Sequence, residues 1–226
     1  AGAGAQVGRG SIILLPAGSR PARCPQDNVW DARAAQSCPA RAVSILRRSE
    51  GLLPRMTIAQ LPRQPTSIVG RERELGEISA LLREPQCRLV TLLGPGGIGK
   101  TRLAVEAADQ QRRQASFADG VVFVDLAGTV APDFVPAAIG GALNVSFWGP
   151  EEPLAQVMSY LADKQVLLVV DNLEHLLAGS DCLVDLLSAA PGLKILATSR
   201  ERLNLREEWV YAVGGLAFPP SYAGAL

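Results

Sequence analysis

The chain has 226 residues, and its 22 basic and 22 acidic side chains give a formal net charge of zero. Apolar residues make up 48% of the sequence and charged residues 19%, a composition typical of a domain that buries an ordinary core. No apolar run approaches the roughly 20 residues of a membrane span, and a neutral chain lacks the basic field of a general nucleic-acid binder. We therefore expect neither a membrane partner nor direct nucleic-acid binding by this chain.

The cysteine and histidine content argues against a structural metal and against secretion. The four cysteines form no CxxC pair, and the only histidine is His175, so a zinc site is not expected. So few cysteines in a chain of this size do not indicate a disulfide framework. The apolar stretch at residues 11–16 is too short for a secretory leader and has no small-residue cleavage signal. Free thiols in a reducing compartment predict a cytoplasmic protein.

Charge and periodicity divide the chain near residue 60. Residues 1–60 carry eight arginines against three acidic residues and show no sustained period, although residues 42–53 could form one short helix. Residues 61–226 carry 14 basic and 19 acidic residues, and their apolar pattern is regular. We expect a low-complexity, poorly ordered extension over residues 1–60, a folded core over residues 61–220, and a tail over residues 221–226.

From residue 61 onward the apolar pattern alternates between helices and strands. The predicted helices lie at residues 71–83, 100–113, about 132–143, about 151–162 and 182–189. The predicted strands lie at residues 88–93, 121–125, 166–170, 193–198 and near 209–213. Five apolar strands separated by helices predict an α/β fold in which a parallel sheet is covered on both faces.

Residues 94–101, GPGGIGKT, follow a predicted strand and open a predicted helix. They fit the pattern G-x-x-x-x-G-K-[ST], whose glycines let backbone N–H groups surround phosphate oxygens at a helix N-terminus. Lys100 supplies a charge for the β- and γ-phosphates, and Thr101 supplies a hydroxyl ligand for Mg²⁺. The predicted nucleotide-binding residues are Gly94, Pro95, Gly96, Gly97, Ile98, Gly99, Lys100, Thr101 and Arg102.

An acidic residue follows the predicted strand at residues 166–170. Asp171 would lie at the carboxyl edge of a central strand, where it can bind the Mg²⁺ held by Thr101. The alternative is an aspartate that merely caps the next helix. Glu174 could polarise the attacking water, or it could be a solvated glutamate in the first turn of that helix. His175 is expected at the helix boundary rather than in catalysis.

A second polar segment follows the predicted strand at residues 193–198. Ligands of open α/β sheets bind along the carboxyl edge, so Arg200 could reach a γ-phosphate and report its presence. A plain surface arginine is the alternative. Ser199 could help to position water. The predicted catalytic residues are Lys100, Asp171, Glu174 and Arg200, and the predicted metal ligands are Thr101 and Asp171.

Five stretches, in this order and spacing, resemble the STAND class of P-loop ATPases, which is related to NB-ARC domains and found in bacterial LuxR-like and SARP-like regulators. The stretches are IVGRERELGEI, LVTLLGPGGIGKTRLAVEAA, LLVVDNLEHLL, ILATSRERLNL and EEWVYAVGGLAFPP. The resemblance implies an ASCE-type three-layer sandwich with core strand order 5-1-4-3-2. It also implies that Val69, Gly70 and Arg71 line the adenine, and that longer relatives add lid, repeat and effector domains and can oligomerise.

The sequence therefore predicts the core of a regulatory ATPase that binds ATP or ADP with Mg²⁺ and hydrolyses ATP slowly. Members of such families often carry a glutamate directly after the strand aspartate, where this chain has Asn172. That departure keeps open a nucleotide-binding interaction module with little turnover. A small-molecule kinase is the third alternative, although no acceptor pocket is legible in the sequence.

Overall fold

One six-stranded sheet organises the computed structural model, which describes residues 12–13, 61–64 and 66–216. The strands are β1 (Ile12–Ile13), β2 (Leu89–Leu93), β3 (Gly120–Asp125), β4 (Val166–Asp171), β5 (Lys194–Ser199) and β6 (Glu208–Ala212). The α-helices are α1 (Glu72–Arg83), α2 (Lys100–Arg113), α3 (Val135–Ala142), α4 (Pro153–Leu161) and α5 (Asp181–Ala189). Short 3₁₀ helices lie at Pro132–Phe134, Leu173–His175 and Leu177–Gly179.

The strand order confirms the predicted topology. Along the sheet the strands run β1-β6-β2-β5-β4-β3, and all pairs from β6 to β3 are parallel. When the five parallel strands are numbered from β2, this order is 5-1-4-3-2. Parallel strands need crossover connections, and helices supply them from β2 to β5, whereas residues 200–207 join β5 to β6 without a helix.

Strand β1 is a difference from the sequence analysis, which assigned no strand to residues 1–60. Ile12 and Ile13 pair antiparallel with β6, opposite Tyr211 and Val210. A two-residue strand is too short to show any alternation of apolar and polar residues, so periodicity could not reveal it. The expected extension over the rest of residues 1–60, the helix at residues 42–53 and the tail at residues 221–226 lie outside the described residues.

Two apolar layers cover the sheet, one on each face. Strand β4 contributes to both because its side chains alternate: Leu168 and Val170 pack into one cluster, and Leu167 and Val169 into the other. Helices α3, α4 and α5 bury their apolar faces in the first cluster, and α1 and α2 bury theirs in the second. Each fully buried Leu, Ile or Val contributes about 1.5–3 kcal/mol relative to exposure, so the layers hold the sheet in place.

Prolines explain where two of the predicted helices begin. Pro132 starts a 3₁₀ turn, and α3 begins only at Val135, with Pro136 in its first turn. Helix α4 begins at Pro153, two residues later than the pattern indicated. Proline lacks a backbone N–H, so it is tolerated in the first helical turn but not in the interior. Among the described residues, no helix is both long and apolar enough to cross a membrane.

Candidate nucleotide-binding site

The predicted site residues meet at the carboxyl edge of the parallel sheet. Leu93 at the end of β2 lies opposite Ser199 at the end of β5, and Val170 in β4 lies opposite Ala197 in β5. The segments that follow these three strands therefore emerge side by side. In open α/β sheets this edge is where ligands bind.

The glycine loop between β2 and α2 has the backbone that its sequence predicts. Gly97 has a φ of 77° and Gly99 a φ of 97°, both in the left-handed region that favours glycine. A Cβ on Gly94 would lie only 3.1 Å from the carbonyl oxygen of Val213. Helix α2 begins immediately after the loop, at Lys100, so its unpaired N-terminal N–H groups face the loop.

Lys100 is folded back onto its own loop. Its side chain is buried, and Nζ donates hydrogen bonds to the carbonyl oxygens of Gly94 at 2.8 Å and Pro95 at 3.1 Å. A buried ammonium group requires such acceptors. A phosphate group in the loop would offer stronger, charged acceptors to the same nitrogen, so this lysine fits a phosphate ligand.

Asp171 is the centre of a buried polar cluster. Thr101 Oγ1 donates to Asp171 Oδ1 at 2.8 Å, and Thr198 Oγ1 donates to the same oxygen at 2.5 Å. Burial raises the pKa of Asp171, hydrogen bonds from Thr198 and Thr101 oppose the rise, and the negative charges of Asp125 and Glu174 add to it. A cation would relieve this accumulation of negative charge.

The protein oxygens around Asp171 fit Mg²⁺ only if a ligand completes the set. The described residues contain no group of three or more His, Cys, Asp or Glu side chains that could hold a metal ion. Mg²⁺ prefers oxygen ligands and is commonly held by one or two carboxylates together with substrate phosphates. The hydroxyl of Thr101 and the carboxylate of Asp171, next to the glycine loop, suit that arrangement.

Glu174 and Arg200, both predicted as catalytic, form an ion pair with each other. Arg200 Nε lies 3.0 Å from Glu174 Oε1, and the other carboxylate oxygen of Glu174 is buried without a hydrogen-bond partner. The guanidinium carbon of Arg200 would lie 3.2 Å from a Cβ built on Gly96, so it covers the glycine loop. Glu174 belongs to a 3₁₀ turn, whereas the alternative interpretation expected a solvated glutamate in the first turn of the next helix.

Asn172 and His175 bracket this turn. Asn172 has a φ of 67°, a left-handed conformation that asparagine tolerates better than most residues. Its side-chain amide lies 3.2 Å from Asp171 Oδ2. At the position where related families often carry a glutamate, Asn172 therefore supports the Asp171 carboxylate. His175, expected at the boundary of the next helix, instead ends this 3₁₀ turn, and its Nε2 lies 3.2 Å from the carbonyl oxygen of Thr129.

Val69 and Gly70 lie in the segment that enters α1. Val69 is 74% exposed, and Gly70 has a φ of 74°. A Cβ on Gly70 would contact the side chain of Leu216, which is itself an exposed apolar residue. Val69 and Leu216 are therefore open apolar surface on either side of this turn, as an adenine contact would require.

Two arginines predicted to bind nucleotide are engaged within the protein. Arg71 is buried, pairs with Glu74 at 2.7 Å, and donates to the Ile98 carbonyl of the glycine loop at 3.3 Å. Arg102 donates to the backbone carbonyl of Thr66 at 2.9 Å. Both arginines thus attach the segment before α1 to the loop and the helix that follows it, an anchoring contact that the sequence analysis did not foresee.

Sequence reasoning also missed Thr198 and Asp125. Thr198 is the penultimate residue of β5 and lies beside Asp171, and Asp125 ends β3 opposite Asp171 in register. Both are polar residues at the carboxyl ends of parallel strands, and this position could have marked them as site candidates. The strand order determines which strand ends are neighbours, so the two residues can be assigned to the site only once that order is known.

Comparison with known proteins identifies the family. Residues 83–207, more than half of the chain, match the family model described as AAA domain. The chain belongs to this family. The AAA domain match covers the glycine loop, Asp171 and Arg200 together. It makes the chain a P-loop ATPase domain, as the sequence predicted.

The relatives of this AAA domain include bacterial regulators. The chain is 39% identical over 137 residues to a putative HTH-type transcriptional regulator of Mycobacterium tuberculosis, covering 58% of this chain and 15% of that protein. It is 31% identical over 193 residues to regulatory protein AfsR of Streptomyces coelicolor, covering 76% of this chain and 18% of AfsR. The chain therefore spans less than a fifth of either regulator. These matches confirm the predicted similarity to bacterial regulatory proteins.

A solved structure supports the fold alone. The structure of Drosophila ORC bound to DNA aligns with 78% of this chain and 51% of its own chain, with a TM-score of 0.50 and 17% sequence identity. At this identity the similarity concerns the arrangement of the sheet and helices. It carries no information on ligand or partner.

Proposed function

We propose that this AAA domain binds ATP and ADP together with Mg²⁺ and hydrolyses ATP slowly, as the nucleotide switch of a regulatory protein. The observation that carries the proposal is the 2.8 Å contact between Thr101 and Asp171, two residues 70 positions apart. It joins the end of the glycine loop to the end of β4, which is where a phosphate-bound Mg²⁺ would need two protein oxygens.

The glycine loop and Lys100 would hold the phosphates. Lys100 Nζ exchanges its bonds to the loop carbonyls of Gly94 and Pro95 for bonds to phosphate oxygens. The N-terminus of α2 adds partial positive charge at the same place. When bound, Mg²⁺ neutralises charge on the phosphates, and Thr101 and Asp171 would be its protein ligands.

Glu174 and Arg200 would respond to the γ-phosphate. Their ion pair is half exposed, since the Arg200 side chain is 62% and the Glu174 side chain 19% accessible, so it is weak enough to open. Arg200 is proposed to turn from Glu174 to the γ-phosphate, which leaves Glu174 free to orient water. While the pair is closed, neither residue acts on the substrate, which favours slow turnover.

A nucleotide-binding module with little turnover is the second candidate. Asn172 occupies the position directly after Asp171 and holds the carboxylate rather than water. If Glu174 stayed paired with Arg200 when ATP is bound, no base would remain. Measurement of phosphate release from Mg-ATP under single-turnover conditions separates the two candidates. Only an ATPase would release phosphate before the bound ATP dissociates.

In the longer regulators that this chain resembles, the domain is proposed to serve transcription control. One relative is named an HTH-type transcriptional regulator, and the AAA domain corresponds to 15% of its length. Repeat, lid and effector regions in such a protein would read the nucleotide state and could mediate oligomerisation. Direct contact with nucleic acid is not proposed for the AAA domain itself.

The decisive experiment compares Lys100→Ala with Lys164→Ala by thermal shift. Lys164 lies outside the site, with Nζ 5.1 Å from the centre of the Tyr160 ring. We expect saturating Mg-ATP to raise the melting temperature of the wild type and of Lys164→Ala but not of Lys100→Ala, because the phosphates lose their lysine. An equal shift in all three proteins would overturn the proposed function.

A further inference from the structure

Thr198 is a buried threonine at the end of β5 with a fully determined hydrogen-bond geometry. Its Oγ1 lies 2.5 Å from Asp171 Oδ1 and accepts a hydrogen bond from the backbone N–H of Asn172 at 3.1 Å. A hydroxyl has one proton to donate. Because the Asn172 N–H points at Oγ1 and an ionised carboxylate only accepts, the proton of Thr198 is directed to Asp171.

This bond holds the Asp171 carboxylate from the neighbouring strand. Oδ1 receives the hydroxyls of Thr101 and Thr198, while Oδ2 lies 3.0 Å from the same Thr101 hydroxyl and receives the side-chain amide of Asn172 at 3.2 Å. Thr101 must turn its lone pairs towards a metal ion if it is to act as a ligand. The contact from Thr198 does not depend on that change, so it can hold the carboxylate plane from β5 whether or not Thr101 binds a metal ion.

We propose that Thr198 is a positioning residue for magnesium, which holds the Asp171 carboxylate in the orientation needed to share Mg²⁺ with Thr101 beside the glycine loop. The inference rests on the proposed function, because it requires Asp171 to act at a metal ion. Groups that orient a metal ligand without touching the metal commonly change metal affinity by about 10- to 100-fold when they are removed.

The alternative is that Thr198 only satisfies buried polar groups in the core. Thr91 in β2 provides a matched control, because it is equally buried and lies opposite Ala197 of β5 in the same sheet. Within the described part of the chain, the hydroxyl of Thr91 has no hydrogen-bond partner. Thr91→Val therefore removes a buried threonine hydroxyl from the sheet without altering Asp171.

The experiment titrates fluorescent ADP into the full chain in EDTA and at stepped free Mg²⁺ concentrations. The proteins are the wild type, Thr198→Val, Thr198→Ser and Thr91→Val. We expect Thr198→Val to raise the free Mg²⁺ concentration for half-maximal strengthening of ADP binding about tenfold, with unchanged affinity in EDTA. Thr198→Ser, which keeps the hydroxyl, and Thr91→Val should behave like the wild type.

Two results would overturn the inference alone: a wild-type Mg²⁺ requirement in Thr198→Val, or an equal loss of affinity with and without Mg²⁺, as a structural defect would give. If Thr198→Val does not fold, Thr198→Ala carries the same expectation, because it removes the hydroxyl without adding volume. A wild-type chain that binds ADP equally in EDTA and Mg²⁺ would overturn the proposed metal site and this inference together. A wild-type chain that binds no ADP would overturn the proposed function.

Discussion

At the scale of single residues, the carboxyl edge of the sheet concentrates negative charge where water is excluded. Asp171 is 3% exposed and lies near Asp125 and Glu174. Two hydroxyl donors offset part of the cost of burying its charge, yet its pKa remains above the ordinary value of 3.8. A buried group that is held in an unfavourable charge state is a common feature of functional sites.

The first prediction concerns Asp171→Asn. Because its folded pKa is raised, ionisation of Asp171 disfavours the folded state, so ligand-free stability falls as pH rises from 3.8 through the folded pKa. Asp171→Asn should abolish this fall and be no less stable than the wild type at pH 7. It should also keep ATP binding in EDTA and lose the extra stabilisation by Mg²⁺, measured by thermal shift. The exposed Asp185→Asn serves as the control; lower ligand-free stability with intact Mg²⁺ dependence would contradict the assignment.

The second prediction concerns the ion pair of Arg200 and Glu174. Arg200→Ala should weaken ATP binding by about tenfold, or ~1.4 kcal/mol, because a charged contact to the γ-phosphate is lost. ADP binding should be unchanged, since ADP lacks that phosphate. Competition titrations of ATP and ADP measure the ratio, with the exposed Arg206→Ala as control. Equal weakening of both nucleotides would mean that Arg200 does not distinguish them.

At the scale of elements, a hydrogen bond joins α1 to β6 across one face of the sheet. Tyr211 in β6 is buried, and its hydroxyl donates to Glu77 Oε2 in α1 at 2.6 Å. Arg73 contacts the other carboxylate oxygen of Glu77 at 2.8 Å. The hydrogen bond from Tyr211, followed by that from Arg73, lowers the pKa of Glu77. These contacts attach helix α1 to β6. Strand β6 pairs with β2, and β2 leads into the glycine loop.

The third prediction is that Tyr211→Phe lowers the free energy of unfolding at pH 7 by about 1–2 kcal/mol, because a hydrogen bond to a charged acceptor is lost. Since the pKa of Glu77 is depressed, this contribution is present above pH 4.5 and is lost as pH falls through the folded pKa. Urea unfolding at pH 7 and in acid measures it. The double variant Tyr211→Phe/Glu77→Gln should lose less free energy of unfolding than the two single variants lose together. Strict additivity of the losses would show that the two residues are not coupled.

At the scale of the whole molecule, we expect the five parallel strands and their two helical layers to form the stable unit. Strand β1 adds two residues to the edge of β6, opposite Tyr211 and Val210. By covering the edge of β6, β1 pairs backbone groups that an edge strand would leave unpaired, but two residues supply few hydrogen bonds. Among the described side chains, the apolar clusters on the two faces are built from β2 to β6 and helices α1 to α5.

The fourth prediction is that residues 1–55 can be deleted without unfolding the AAA domain. The deletion should lower the melting temperature by only a few degrees, because about 1 kcal/mol corresponds to about 2–4 °C in a chain of this size. Differential scanning calorimetry of both chains measures the change. Ile13→Pro in the full chain isolates the contribution of β1, since proline cannot donate to the sheet. Loss of cooperative unfolding after the deletion would contradict the prediction.

The alternation of strands and helices, the glycine loop and the acidic end of β4 could all be predicted from the amino-acid sequence. These features depend on local patterns, namely the periods of 2 and 3.6 residues and the backbone freedom of glycine. The start of α2 at Lys100 was predicted correctly because the loop and the helix are contiguous in sequence. The starts of α3 and α4 were predicted too early because proline position decided them within an otherwise continuous apolar pattern.

Which side chains meet, by contrast, depends on how the strands are ordered in the folded sheet. Thr198 reaches Asp171 because β5 lies beside β4, and Arg200 pairs with Glu174 because both follow those strands. The Arg71 guanidinium, which pairs with Glu74 of α1, likewise contacts the glycine loop, a segment that is far from it in the sequence. The partner of a charged side chain can come from any segment that folding brings close to it. Which segments those are depends on strand order and burial. Local patterns contain neither.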